Sequence, residues 1–202
     1  MVQPLHQLKE SPSQTAGPYV HIGCMPNFAG IDGIFAEDLG SRMINDQTRG
    51  QRISITGIVY DGVGTPMTDA LIEIWQADAD GFYPGNDPRG PADPNFAGWG
   101  RKAGDYGTGE WSFQTIKPGA VPFPDGRMQA PHISFWVAAR GINIGLQTRM
   151  YFPEDDLAAD PILGRIEHQN RVPTLIAAKT GEGQYRFDIR VQGDGETIFF
   201  DF

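Results

Sequence analysis

Side chains able to bind a metal, move a proton or attack a carbon are few in this chain, and their spacing excludes the common local motifs. The four histidines, His6, His21, His132 and His168, form no H-x-H, H-x-x-x-H or H-E-x-x-H pair that would put two imidazoles on one ion. No G-x-S-x-G elbow, Walker loop or post-strand G-x-G-x-x-G is present, so acyl transfer and nucleotide binding by those loops have no support. The carboxylate pairs Asp155-Asp156 and Glu37-Asp38 stand among polar residues and read as solvated surface, because an acid–base pair is poised by burial. The lone Cys24 excludes an intrachain disulfide and a cysteine-rich metal site and reads as an inert, half-buried thiol of a reducing compartment.

The elements that must position these groups follow from composition and periodicity. The 202 residues are 40% apolar and 11% aromatic, enough for one full core, and 26 glycines with 16 prolines imply many turns between short elements. The net charge of −9 repels phosphate backbones and anionic membranes, and no apolar run approaches the ~18 residues of a bilayer span. Without a secretory leader pattern, the chain is expected in the cytoplasm. Residues 1–50 read as an N-terminal arm rich in turn residues, weakly helical over 36–44, with Val20, Ile22, Met25, Phe28 and Phe35 to pack on a partner. Residues 51–202 read as one domain. Strands are expected from Arg52, where Ile53, Ile55, Gly57 and Val59 alternate with their neighbours, and over 70–77, 110–116, 132–140, 144–152 and 184–191. Residues 78–109 form an Asp-, Gly- and Pro-rich insertion too long to be idle, 155–178 hold one or two short helices broken by Pro161 and Pro173, and 197–202 close as a strand or extension. The sum is an all-β, two-sheet sandwich with long loops and an N-terminal arm. Trp75, Trp99, Trp111 and Trp136 are expected as core or interface anchors.

Several blocks recur in a specific order: Gln14-Thr15-Ala16-Gly17-Pro18-Tyr19; Gly57-Ile58-Val59-Tyr60-Asp61-Gly62 leading to Glu73-Ile74-Trp75-Gln76-Ala77-Asp78; Asp93-Pro94-Asn95-Phe96 with Gly98-Trp99-Gly100-Arg101; Lys117-Pro118-Gly119; and Ala130-Pro131-His132-Ile133-Ser134. In that order, over nearly the whole chain, they resemble the intradiol ring-cleaving dioxygenases. The resemblance implies chemistry at a non-haem Fe(III) held by two tyrosinates and two histidines, which activates a catechol toward O2. Phenolate suits this hard ion.

Carried over position by position, the ligand set is broken here. The first tyrosine falls on Pro88, and the second, in K-P-G-x-Y-P, on Val121; the H-I-H pair becomes His132-Ile133-Ser134. The family's arginine three residues before the first histidine is Gln129, and the glutamine of the following strand is Arg149, which would set a cation beside the vacated site. One imidazole without phenolates cannot hold Fe(III) against water, and a guanidinium repels it. His132 is therefore expected to be a remnant with local hydrogen bonds.

Some members of the family pair two homologous chains, an iron-binding beta subunit and an alpha subunit that completes its cavity, and the resemblance is to the latter. It implies that Fe(III) is bound by the beta partner in a hetero-oligomer. The reaction opens protocatechuate (3,4-dihydroxybenzoate) with O2 to 3-carboxy-cis,cis-muconate. Thr15, Gly17, Pro18, Tyr19 and Arg140 would line the partner's substrate site, a guanidinium favouring a carboxylate-bearing catechol. For the arm, plain interface packing is the alternative; for Arg140, a surface ion pair. Two other readings remain: a binding or scaffold sandwich without a catalytic partner, and an enzyme with other ligands, Tyr83, Tyr106 or Tyr151 with His132.

Overall fold

The computed structural model describes residues 15–17, 19–85 and 87–201. A short helix α1 (Val20–Cys24) precedes the strands β1 (Arg52–Tyr60), β2 (Leu71–Trp75), β3 (Trp99–Ala103), β4 (Glu110–Ile116), β5 (Val121–Pro122), β6 (Met128–Gln129), β7 (His132–Ala138), β8 (Leu146–Tyr151), β9 (Ala178–Gly181), β10 (Gln184–Arg186) and β11 (Ile189–Arg190). Two 3-10 turns, Leu163–Arg165 and Gln169–Leu175, lie between β8 and β9. Among the described residues no helix is long and apolar enough to cross a membrane.

The strands form the expected sandwich. In one sheet, β4 runs antiparallel along β1 while β10 and β11 run parallel to it, and β9 pairs with β10. The facing sheet has the order β3-β2-β7-β8, all antiparallel, and β5 with β6 makes a small separate hairpin. Period-two alternation sends Ile53, Ile55 and Val59 of β1, Trp111 and Phe113 of β4, and Ile133, Phe135 and Val137 of β7 into one core. Phe135 sits at its centre, 5.5 Å from Trp111 and 5.2 Å from Phe187 between ring centroids. The buried amide of Gln76 ties the sheets together, its Nε2 donating to the Ile116 carbonyl at 2.9 Å and its Oε1 accepting from the Thr115 hydroxyl at 2.8 Å.

Sequence and structure part at four places. The single strand expected over 184–191 is two, β10 and β11, in one register along β1, separated where the Asp188 carboxylate takes the Ile58 N–H at 3.0 Å in place of a ladder bond. Gly57 permits the close approach there, since a Cβ on it would stand 2.0 Å from the Phe187 carbonyl oxygen. The insertion contains β3, the edge strand of the second sheet, whose Trp-Gly-Arg-Lys-Ala sequence lacks apolar alternation because its outer face carries an ion pair. Residues 36–44 are not helical: the Asp38 carboxylate closes a loop by accepting the N–H groups of Asn27 and Phe28. The helix stands earlier, at α1.

Residues 20–50 pack on this chain's own strands. Met25 is buried with Leu71 and Ala103 on the outer face of the second sheet, while Met43 reaches the main core and Ile44 bridges to Phe96.

Candidate functional site

The outer face of the β3-β2-β7-β8 sheet carries two regions at opposite ends, with a strip of tryptophans between them. On β7, His132, Ser134 and Trp136 point outward because Ile133, Phe135 and Val137 point into the core. Ser134 lies opposite Trp75 on β2 and Arg149 on β8, and His132 lies opposite Tyr151. Trp75 in turn faces Trp99 on β3. Of the four tryptophans, Trp111 is core; the others belong to this face, where Trp75, Trp99 and Trp136 border a groove of about 310 Å3.

His132 and Ser134 of β7 meet the β5–β6 hairpin at one end of the face. Val121 pairs with Gln129 in the β5–β6 hairpin, and the Arg149 guanidinium donates from Nη1 to Gln129 Oε1 at 2.8 Å. Pro88 lies in the loop that also holds Tyr83, whose phenol feels the Arg149 charge. That loop is fixed by two buried aspartates. Asp78 accepts the N–H groups of Asp80, Phe82 and Asp93, while Asp93 accepts those of Arg49 and Asn95. Gly119 of the K-P-G block donates to the Asp78 carbonyl at 2.8 Å. Much of the ordered motif pattern is thus the frame of this end of the sheet. Spacing alone did not reveal that role for Asp78 and Asp93, although an Asp two residues before a backbone N–H is the signature of such a turn.

His132 is buried, and its Nδ1–H donates to the Ala130 carbonyl at 2.8 Å, which leaves Nε2 as a bare acceptor with no partner among the described residues. Burial, with the Arg149 cation beside it, pulls the imidazole down to about 4. The Tyr151 ring lies 5.8 Å from it, its phenol pushed up by burial to about 12; Tyr83 is raised for the same first reason. Asp160 anchors the entry to β7 by accepting from the N–H of Ala130, Ile162 and Leu163. Tyr106 stands elsewhere, against His21 and Phe28. As donors for a hard trivalent ion, one imidazole, a serine hydroxyl and two phenols held neutral beside a guanidinium do not fit.

The second region is a tip at the far end of β7, ~20 Å away by the length of a seven-residue strand. Thr15 Oγ1 accepts the Gly141 N–H at 2.7 Å, joining the arm to the β7–β8 turn beside Arg140. Arg140 Nε approaches Asp69 Oδ2 at 3.1 Å, and the arginine side chain remains 65% exposed. Gly17 and Tyr19 lead into α1, and Tyr19 is 77% exposed. Thr15 therefore lies beside Arg140, and Gly17 and Tyr19 follow it on the exposed surface; Pro18 lies outside the described residues.

The solvated reading of the acidic pairs holds at Glu37 and Asp156 and fails at Asp38 and Asp155. Asp38 is buried in the arm's loop closure, and Asp155 is half-buried against Lys117 Nζ at 2.7 Å, because each has donors to satisfy it. Glu37 is exposed and pairs with Arg42.

A family model described as "Dioxygenase" matches residues 26–193. The chain is 44% identical, over 98% of its length and all of the relative's, to the protocatechuate 3,4-dioxygenase alpha chain of Pseudomonas putida. It is 36% identical, over 80% of its length and 77% of the relative's, to the protocatechuate 3,4-dioxygenase beta chain of Burkholderia cepacia. Its fold matches that of hydroxyquinol 1,2-dioxygenase from Pseudomonas putida DLL-E4 with a TM-score of 0.57, covering 92% of this chain and 68% of that one at 21% identity. The chain belongs to the intradiol ring-cleaving dioxygenases, a family of oxidoreductases. Within that family its full-length likeness is to a protocatechuate 3,4-dioxygenase alpha chain.

The Gln129 amide oxygen answers the Arg149 guanidinium, so Arg149→Gln and Gln129→Arg should each lower stability by about 1–3 kcal/mol. The double exchange should recover most of that loss, as read from urea unfolding midpoints. His132, by contrast, titrates near 6.5 when unfolded and about 4 when folded, so the unfolded chain binds the proton first as pH falls. Stability should therefore fall by about 3 kcal/mol between pH 6.5 and 4 on this account. His132→Leu, compared by denaturant unfolding at pH 7 and pH 4.5, should show a loss smaller by about that amount.

Proposed function

We propose that this chain is the alpha subunit of a cytoplasmic protocatechuate 3,4-dioxygenase, pairing with a homologous beta subunit that binds the Fe(III). The beta site uses O2 to open 3,4-dihydroxybenzoate to 3-carboxy-cis,cis-muconate, and this chain supplies part of the substrate cavity. The observation that carries the reading is the Arg149 guanidinium standing opposite Ser134 and bonded to Gln129, among the positions that would be ligands. A fixed cation with one imidazole, a proline, a valine and a serine is a poor home for a trivalent ion, so the iron of this reading belongs to the partner.

The tip has the complementary character. It offers an exposed guanidinium, an exposed aromatic ring and backbone close to the Gly17 turn, which suit a ring with a carboxylate. Because the tip stands a full strand away from His132, it reaches no cavity of its own chain there and is directed at another. The arm, residues 1–50, is on this reading the connector that holds the tip against the partner, while residues 51–202 are the sandwich that carries it.

In the assembled complex, Arg140→Ala should raise KM for 3,4-dihydroxybenzoate about tenfold while leaving the iron content unchanged, because the loss is that of a charge-assisted contact to the carboxylate. An unchanged KM would remove Arg140 from the cavity.

A further inference from the structure

Arg140 is not simply exposed; it stands against a carboxylate. Its Nε lies 3.1 Å from Asp69 Oδ2, an ion-pair contact without hydrogen-bond geometry, and the Asp69 side chain is only 15% exposed. Asp69 sits in the turn before β2, where the Met67 N–H donates to the Val59 carbonyl at 2.8 Å and Ala70 is fully buried in the core. The carboxylate is thus mounted on the rigid β1–β2 connection. From the other side, the β7–β8 turn that carries Arg140 is fixed by the Ile142 N–H donating to the Ala139 carbonyl at 3.1 Å and by Thr15 accepting the Gly141 N–H. Gly141 adopts φ +90°, which lets the turn reverse directly after Arg140. Three segments distant in sequence therefore meet at the turn that carries Arg140, and one of them, through Asp69, reaches its guanidinium.

We propose that Asp69 is a positioning residue that sets the preference for carboxylated catechols by orienting Arg140; the proposal rests on the reading that Arg140 lines the partner's cavity. An arginine free on a surface turn carries about 2 kcal/mol of rotamer entropy, and ordering it on substrate binding would consume much of the gain from a carboxylate contact. Asp69 lowers that cost beforehand. Its charge draws the guanidinium to one side and leaves the exposed remainder of the planar group to meet an incoming carboxylate. The charge survives the pairing, since arginine stays protonated, so the attraction for an anionic substrate remains. A surface ion pair of purely structural value would contribute no more than about 1 kcal/mol to stability and nothing to substrate choice.

The test uses the assembled alpha–beta complex with Asp69→Ala, Asp69→Asn, Asp69→Glu, Arg140→Ala and the Asp69→Ala/Arg140→Ala double variant. For Asp69→Ala and Asp69→Asn we expect KM for 3,4-dihydroxybenzoate to rise about fivefold, with kcat within about twofold of the parent and unchanged iron content. Asp69→Glu should restore much of the loss. The inhibition constant of catechol, which lacks the carboxylate, should not move in any variant, and the double variant should be no worse than Arg140→Ala alone. If Arg140→Ala raises KM while Asp69→Ala leaves it unchanged, lowers it, or weakens catechol equally, the positioning role is overturned by itself. If Arg140→Ala leaves KM unchanged, the placement of the tip in the partner's cavity fails, and this inference with it.

Discussion

The parity of β7 governs the rest of the molecule. With Ile133, Phe135 and Val137 locked into the core between the two sheets, His132, Ser134 and Trp136 must face outward, and a one-residue slip would expose three large apolar side chains. The same parity in β2, β3 and β8 brings Trp75, Trp99 and Arg149 to that outer face. One end of it is roofed by the arm through Met25 on Leu71 and Ala103, and the other by the loop fixed on Asp78 and Asp93. Strand length then separates the two ends, so the vacated site and the tip cannot be two halves of one cavity within a single chain.

On the proposed reading the chain keeps the scaffold of a metal site and lacks its donors. Asp78, Asp93 and Gly119 still knit the loop to the sheet, and Asp160 still pins the start of β7. A hydrogen-bonded guanidinium and amide stand beside the place where the resemblance implies an ion. A half-buried charge of this kind is tolerable because Gln129 answers it, and burial together with that charge keeps His132 a neutral imidazole. Function, on this account, has moved from the interior of the chain to its surface.

Much of this was legible in the residues. Strand alternation over 52–60 and 110–116 named β1 and β4 closely. What escaped was set by long-range pairing. The edge strand β3 carries an ion pair and a glycine in place of alternation, and the gap between β10 and β11 depends on a side chain meeting a backbone N–H 130 residues away. Asp38 and Asp155 read as solvated because their donors, Asn27, Phe28 and Lys117, are neighbours through folding and not through spacing. Asp69 carried no motif signal at all; its meaning appears only beside Arg140.

The central claim is that the iron chemistry lies in the partner and not in this chain. Iron analysis of the purified alpha–beta complex, together with the visible spectrum of each chain after separation, tests it most directly, since phenolate-to-iron charge transfer colours such a centre. The account predicts one ferric ion for each alpha–beta pair and a colourless, iron-free alpha chain. Two ferric ions per pair, or a coloured alpha chain, would contradict it and return an active centre to His132 and its neighbours.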